Sequence, residues 1–231
     1  MRFRSLASLL TLCSILGLGV RIGAQDLGGT GLKENLDLPF DARGDGAGED
    51  EDAPEVVSFY GQNLEGDGFF YTVDRSGSMQ NQGELQRAKQ EISRNISEFS
   101  SKTQFAVVFF DSGIQKFPTS GRPAEANAGM KGAALSWINN MRGGSGSCMT
   151  QGLRVALQFG NLASAKRKVI VYVGDGGGTC GGGNQQQYLQ NMVSTITGQN
   201  YQRIQINCIG VLMNGRTTQR NYMKLVASAN G

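Results

Sequence analysis

From about Val56 onward the apolar positions of the chain keep switching between two rhythms. Short, mainly apolar runs occur at Gly68–Val73, Phe105–Phe110, Val169–Val173 and Ile204–Leu212, with a weaker one at Val56–Tyr60. Between them apolar residues recur three and four apart: Leu85, Ala88, Ile92, Ile96 and Phe99, then Met130, Ala134, Trp137 and Met141. Leu153, Ala156 and Leu157 mark a third such segment, Tyr188, Met192 and Ile196 a fourth, and Tyr222, Leu225, Val226 and Ala229 a fifth. Runs apolar on both faces predict strands covered on both sides, and the spaced segments predict the helices that cover them. The expected fold class is therefore α/β, a doubly wound and mostly parallel central sheet flanked by helices on both faces. Ile114–Phe117 follows a polar turn and is expected to form a short hairpin partner at one edge. Val56–Tyr60 is expected to pair with the same sheet. In such folds ligands bind beyond the carboxyl ends of the strands where the strand order reverses, so the residues directly after each run are the ones to inspect.

The amino-terminal part reads differently. Arg2 and Arg4 precede the apolar stretch Leu6–Val20, which Arg21 closes before the small pair Gly23-Ala24. This is the pattern of an export signal over 1–24, with an uncleaved membrane anchor as the alternative. Residues 25–55 form an acidic linker: positions 26–55 carry ten acids against Lys33 and Arg43, and after Phe40 no large apolar side chain. Residues 56–231, the expected domain, carry seventeen bases against nine acids. The whole-chain charge of +3 thus conceals a basic domain behind an acidic leash. Export would place the protein at the cell surface, in a periplasm or outside the cell. It would also permit a disulfide among Cys148, Cys180 and Cys208. Cys148 and Cys180 lie in glycine-rich loops that the expected fold brings to one edge of the sheet, so they are the preferred pair. Cys208 sits in an apolar run and reads as a buried free thiol.

Composition narrows the chemistry. The chain has no histidine, which removes Ser-His-Asp and Cys-His catalysis, imidazole acid/base work and His-based zinc sites. The 34 glycines against four prolines favour tight turns rather than rigid linkers. At the strand ends stand Asp74-Arg-Ser76-Gly-Ser78, the loop Gly143-Gly-Ser-Gly-Ser147 and Gly174-Asp175-Gly176. Two carboxylates and several hydroxyls, without imidazole or thiolate, make an oxygen donor set suited to a hard cation such as Mg²⁺.

Asp74-x-Ser76-x-Ser78 after an apolar strand resembles the metal-ion-dependent adhesion site of von Willebrand factor A domains, and the resemblance extends over most of 56–231. Ser147 stands five and six residues before Gly152-Leu153, where the family has a threonine, and Asp175 matches its Asp-Gly after the fourth strand. The resemblance implies that Ser76 and Ser78 hold a divalent ion directly. Asp74, Ser147 and Asp175 would complete its shell, with Thr150 as the alternative hydroxyl. The ion would be Mg²⁺, with Mn²⁺ or Ca²⁺ as substitutes. It would take a carboxylate from an Asp or Glu of a partner protein, and no catalysis is implied. Gly174 departs from the family's usual threonine, and the family's last strand and helix have no counterpart before Gly231.

Other readings compete with this one. Asp74 at a strand end also fits an aspartyl nucleophile of a Mg²⁺-dependent phosphatase, although Ser76 occupies the place of that class's second aspartate. A third reading keeps the fold and gives the ion a structural role only. Ser147 or Thr150 could serve merely as a helix cap. No Gly-Lys-Ser/Thr phosphate loop occurs, and Lys166-Arg167-Lys168 reads as a solvated run, so nucleic acid is not expected. Asn95-Ile-Ser97 is a formal glycosylation sequon in a helical segment. The acidic linker at 41–55 is a candidate to occupy the metal site in cis, where tethering would raise its effective concentration.

Overall fold

The computed structural model describes residues 53–178, 180 and 183–231. The expected signal segment and nearly all of the acidic linker, including its contact in cis, lie outside the described residues. Among the described residues eight strands and six helices follow in the order β1 (Glu55–Phe59), β2 (Gln62–Gly66), β3 (Gly68–Asp74), α1 (Gly77–Asn81), α2 (Glu84–Glu98), β4 (Gln104–Phe110), β5 (Ile114–Phe117), β6 (Ala124–Glu125), α3 (Ala128–Asn140), α4 (Met149–Leu162), β7 (Lys168–Gly174), α5 (Gln185–Gln199), β8 (Gln205–Gly210) and α6 (Thr217–Ala229).

The main sheet has the order β5-β4-β3-β7-β8, and β6 also pairs with β4. β3, β4, β7 and β8 are parallel, whereas β5 and β6 run antiparallel to β4. The four long runs thus became the parallel strands, and Ile114–Phe117 became the edge hairpin. The weaker run did not join them. β1 pairs with β2 in a separate two-stranded antiparallel sheet, because the turn at Tyr60-Gly61 folds the run back on its own neighbour. A positive φ at both turn residues, 49° and 77°, is the geometry that such two-residue hairpins require.

Alternation along the strands sorts the interior into two cores. Phe69, Tyr71 and Val73 of β3 face α2, α3 and the β1–β2 hairpin, along with Phe105, Val107 and Phe109 of β4. Phe70, Ala106, Val108, Phe110, Ile170 and Tyr172 face α4, α5 and α6. β3, β4 and β7 are therefore buried on both sides, which is why their runs carry no polar alternation, whereas the edge strand β8 alternates Gln205 and Asn207 with buried Ile206 and Ile209. α4 lies very close to the sheet: a Cβ on Gly152 would fall 2.4 Å from a Phe110 ring carbon and 2.8 Å from Thr72 Oγ1. The sequon asparagine belongs to this interior. Asn95 is fully buried in α2 and donates through Nδ2 to the Tyr71 hydroxyl at 3.1 Å, so it offers no surface for a glycan. Cys208 is a free thiol as expected, but only partly buried, because β8 is an edge strand.

Candidate functional site

β3 is the reversal point of the sheet, with β4 on one side and β7 on the other. Its carboxyl end delivers Asp74, and that of β7 delivers Asp175 one residue beyond the strand. Both carboxylates are withdrawn from solvent, with Asp74 0% and Asp175 2% exposed. The hydroxyls stand between them. The backbone N–H of Ser76 donates to Asp74 Oδ1 at 2.7 Å, and Ser147 Oγ donates to Asp74 Oδ2 at 2.9 Å. Ser78 Oγ donates to Asp175 Oδ2 at 2.6 Å and lies 3.2 Å from Ser76 Oγ, while the Gly177 N–H donates to Asp175 Oδ1 at 2.8 Å. One hydrogen-bonded chain therefore joins all five residues singled out in the sequence. Thr150, the alternative hydroxyl, stays outside it. Its Oγ1 is buried without a hydrogen-bond partner among the described residues, and its backbone N–H donates to the Tyr188 hydroxyl at 3.1 Å. Neither Ser147 nor Thr150 caps α4; Cys148 occupies that position.

The loop carrying Ser147 is held from several directions. Gly144 N donates to the Arg75 carbonyl at 2.7 Å, Ser112 N to Ser145 O at 3.0 Å, and Cys148 N to Asp111 O at 2.8 Å. The loop passes so near Asp111 that a Cβ on Gly144 would lie 1.7 Å from its Oδ2, which leaves glycine as the residue that fits. Lys89 Nζ steadies the incoming end of the loop, donating to the carbonyls of Asn139 and Met141 at 2.9 and 3.0 Å. On the opposite side Cys148 and Cys180 form the expected disulfide, which ties the Ser147 loop to the loop after Asp175.

Three further residues shape the site that sequence reasoning passed over. Arg75, read only as a spacer within the Asp-x-Ser-x-Ser motif, pairs with Asp111 at 3.0 Å and donates to Arg142 O at 3.2 Å. Arg216 pairs with Asp175 Oδ2 at 3.2 Å and lines the same depression, about 320 Å³, as Ser76, Ser78, Ser147 and Asp175. Tyr172 is the third. Its hydroxyl is buried without a hydrogen-bond partner and lies 2.3 Å from where a Cβ on Gly174 would sit. That position is also 3.0 Å from Asp74 Cβ, so the tyrosine fills the room that a side chain at position 174 would need. Asp111 directly follows the end of β4, the signal that should have flagged it, whereas Arg216 stands six residues past β8 at the cap of α6 and carries no such signal.

The two acids differ in electrostatics. Burial pushes the Asp74 carboxyl up to about 6, against the hydrogen bonds from Ser76 and Ser147, and the neighbouring Asp175 charge adds to the rise. Asp175 instead has the Arg216 guanidinium beside it. Among the described residues no three Cys, Asp or Glu side chains converge on one point. A metal held here would draw mainly on hydroxyl oxygens, with few carboxylates, a donor set that fits a small hard cation.

Residues 70–178 match the family profile described as von Willebrand factor type A domain. A von Willebrand factor type A structure from Catenulispora acidiphila superposes with a TM-score of 0.54 at 18% identity, covering 71% of this chain and 42% of that one. An aerotolerance-related membrane protein from Bacteroides fragilis gives 0.52 at 13% identity, over 71% of this chain and 87% of that one. The pilus adhesin SpaC from Lactobacillus rhamnosus GG gives 0.56 at 13% identity, over 74% of this chain and 28% of that one. The chain thus spans well under half the length of two of these three structures. No curated protein matches it. Together these findings support a relationship to the von Willebrand factor A family and show its Rossmann-like fold.

Proposed function

We propose that this protein is an exported interaction domain that binds a partner protein through a divalent cation, Mg²⁺ by its donor chemistry. The observation that carries the reading is the hydrogen-bonded chain of Asp74, Ser76, Ser78, Ser147 and Asp175, in which buried Asp74 backs the other four as they line an open depression. When bound, the ion supplies an electrophilic position that attracts a carboxylate of the partner. The chain's own residues do the rest. Ser76 and Ser78 present hydroxyl oxygens on a turn held by Asp74, and Ser147 is placed by its anchored loop. Asp74 and Asp175 supply the only carboxylates of the set, so the ion stays under-neutralised and open to an acidic ligand. Both Asp74 oxygens already accept hydrogen bonds inside the protein, which favours a holding role over nucleophilic attack on a phosphoryl group. The reading therefore assigns no reaction.

The similarity to a pilus adhesin fold agrees with a protein-binding role, and the export signal read from 1–24 agrees with an extracellular setting. Among the described residues no helix is long and apolar enough to cross a membrane. Calorimetric titration of Mg²⁺ and Mn²⁺ into the full chain tests the metal role. Saturable binding is expected, and Asp74→Ala and Asp175→Ala should each abolish it while circular dichroism shows the fold retained. Absence of binding at millimolar metal would overturn the reading.

A further inference from the structure

We propose that Arg216 is a ligand-reading residue of this site: it neutralises Asp175 when no divalent ion is bound and grips the partner's carboxylate when one is. The inference rests on the cation-dependent reading above and adds a residue that neither the motif nor the family profile, which ends at 178, includes. Arg216 precedes the first turn of α6, and its Nη1 is 3.2 Å from Asp175 Oδ2 and 3.3 Å from the Asp175 carbonyl oxygen. Its side chain remains 32% exposed, so the guanidinium bridges the buried acid and the solvent-facing depression. The other walls there are glycines 77, 146, 177 and 178 and the three serines, which leaves Asp175 and Arg216 as the charged side chains lining it.

Two consequences follow from charge alone. A dication drawing on Asp175 repels the guanidinium and weakens its claim on the same oxygen, so ion and arginine compete. Arg216 is then left with unspent hydrogen-bond donors beside the position that an acidic ligand enters. A carboxylate has two oxygens, and guanidinium presents parallel N–H groups that match an oxygen pair in a way a point charge does not. An Asp or Glu side chain with one oxygen toward the ion and the other toward Arg216 satisfies both. An amide side chain would satisfy neither cation well. The ligand class is therefore an acidic side chain, selected over its amide.

The test uses the full chain, with Arg216→Gln and Arg216→Lys, in two titrations. Mg²⁺ alone is titrated by calorimetry. Acetyl-Gly-Glu-Gly-amide and its Gln counterpart are then titrated at saturating Mg²⁺ by NMR. Arg216→Gln is expected to tighten Mg²⁺ binding several-fold and to weaken the Glu peptide about tenfold toward the level of the Gln peptide; Arg216→Lys should fall between. Arg216→Gln that behaves as wild type in both titrations overturns the inference while leaving the metal reading intact. So does a wild-type chain that binds Mg²⁺ but not the Glu peptide. A wild-type chain that takes up no Mg²⁺ overturns both together. A melting temperature that falls along with a loss of both affinities would show a structural role for Arg216 and also overturn it.

Discussion

The two ends of the parallel sheet solve opposite problems with similar residues. At the amino end, β3 and β7 are stitched by Asp67 and Arg167. Arg167 donates to the Asp67 carboxylate through Nε and Nη2, both at 2.9 Å, and through its backbone N–H at 3.0 Å. The N–H groups of Asp67 and Gly68 return to the Arg167 carbonyl at 2.7 and 3.0 Å. Every group there has an obvious structural partner, and the pair is part-exposed to water. At the carboxyl end the acids are buried more deeply, are answered largely by serine hydroxyls and backbone N–H groups, and have a single guanidinium, that of Arg216, beside Asp175. Among the described residues Asp74 has no salt-bridge partner, and burial pushes its carboxyl upward. A closed ion pair at one end fastens strands, and a half-compensated acid pair at the other leaves an attraction to spare. That contrast is what favours the carboxyl end as the place of the proposed site.

The contrast can be broken hardest through the disulfide at the carboxyl end. Its sequence separation of 32 residues and its place between two site loops make it the strongest local constraint there. Replacing Cys148 and Cys180 together by serine should cost about 2–4 kcal/mol in urea unfolding. The same variant should also lose Mg²⁺ affinity, because the Ser147 loop is freed on one side. A variant with unchanged stability would show that the loop is held by its backbone hydrogen bonds alone.

A smaller effect is expected at position 174. Gly174→Thr restores the residue usual in von Willebrand factor A domains but drives it into the Tyr172 hydroxyl. Overpacking of this kind should cost about 1–3 kcal/mol. Combining it with Tyr172→Phe removes the colliding oxygen and should recover part of the loss, measured by the same denaturation curves. Non-recovery would place the conflict with Asp74 instead.

The smallest effect belongs to the structural end. The Arg167 hydrogen bonds hold the Asp67 carboxyl below its ordinary value, with its partial burial opposing them. A lowered native pKa means that the unfolded chain binds protons first as pH falls. Asp67 therefore contributes stability above the unfolded value near 3.8, and that contribution is lost as pH drops through the lower native value. Since the pair is part-exposed, Asp67→Asn should cost about 1 kcal/mol or less at neutral pH, without effect on Mg²⁺ binding. The cost should shrink in acid, as read from chemical denaturation at pH 7 and pH 3. A large loss of Mg²⁺ affinity in this variant would erase the distinction between the two ends.

The sequence by itself determined the sheet and the ends of its strands. Three runs apolar on both faces read as strands sandwiched between helices, and that same burial pattern left Asp74 and Asp175 at the polar ends of two of them. The roles of the Asp-x-Ser-x-Ser turn and of Ser147 were legible through the resemblance to von Willebrand factor A domains, which spacing alone would not have supplied. Periodicity could not tell that Val56–Tyr60 would pair locally, since a two-residue turn decides between a hairpin and a sheet edge. Only the tertiary structure decided that Arg75 serves Asp111 and that Tyr172 occupies the space above Gly174. It alone brought Arg216 to Asp175, 41 residues away in the chain. Hydrophobic order is written in local sequence because burial acts residue by residue. The partners of a buried charge are chosen by whichever elements the finished core sets beside it.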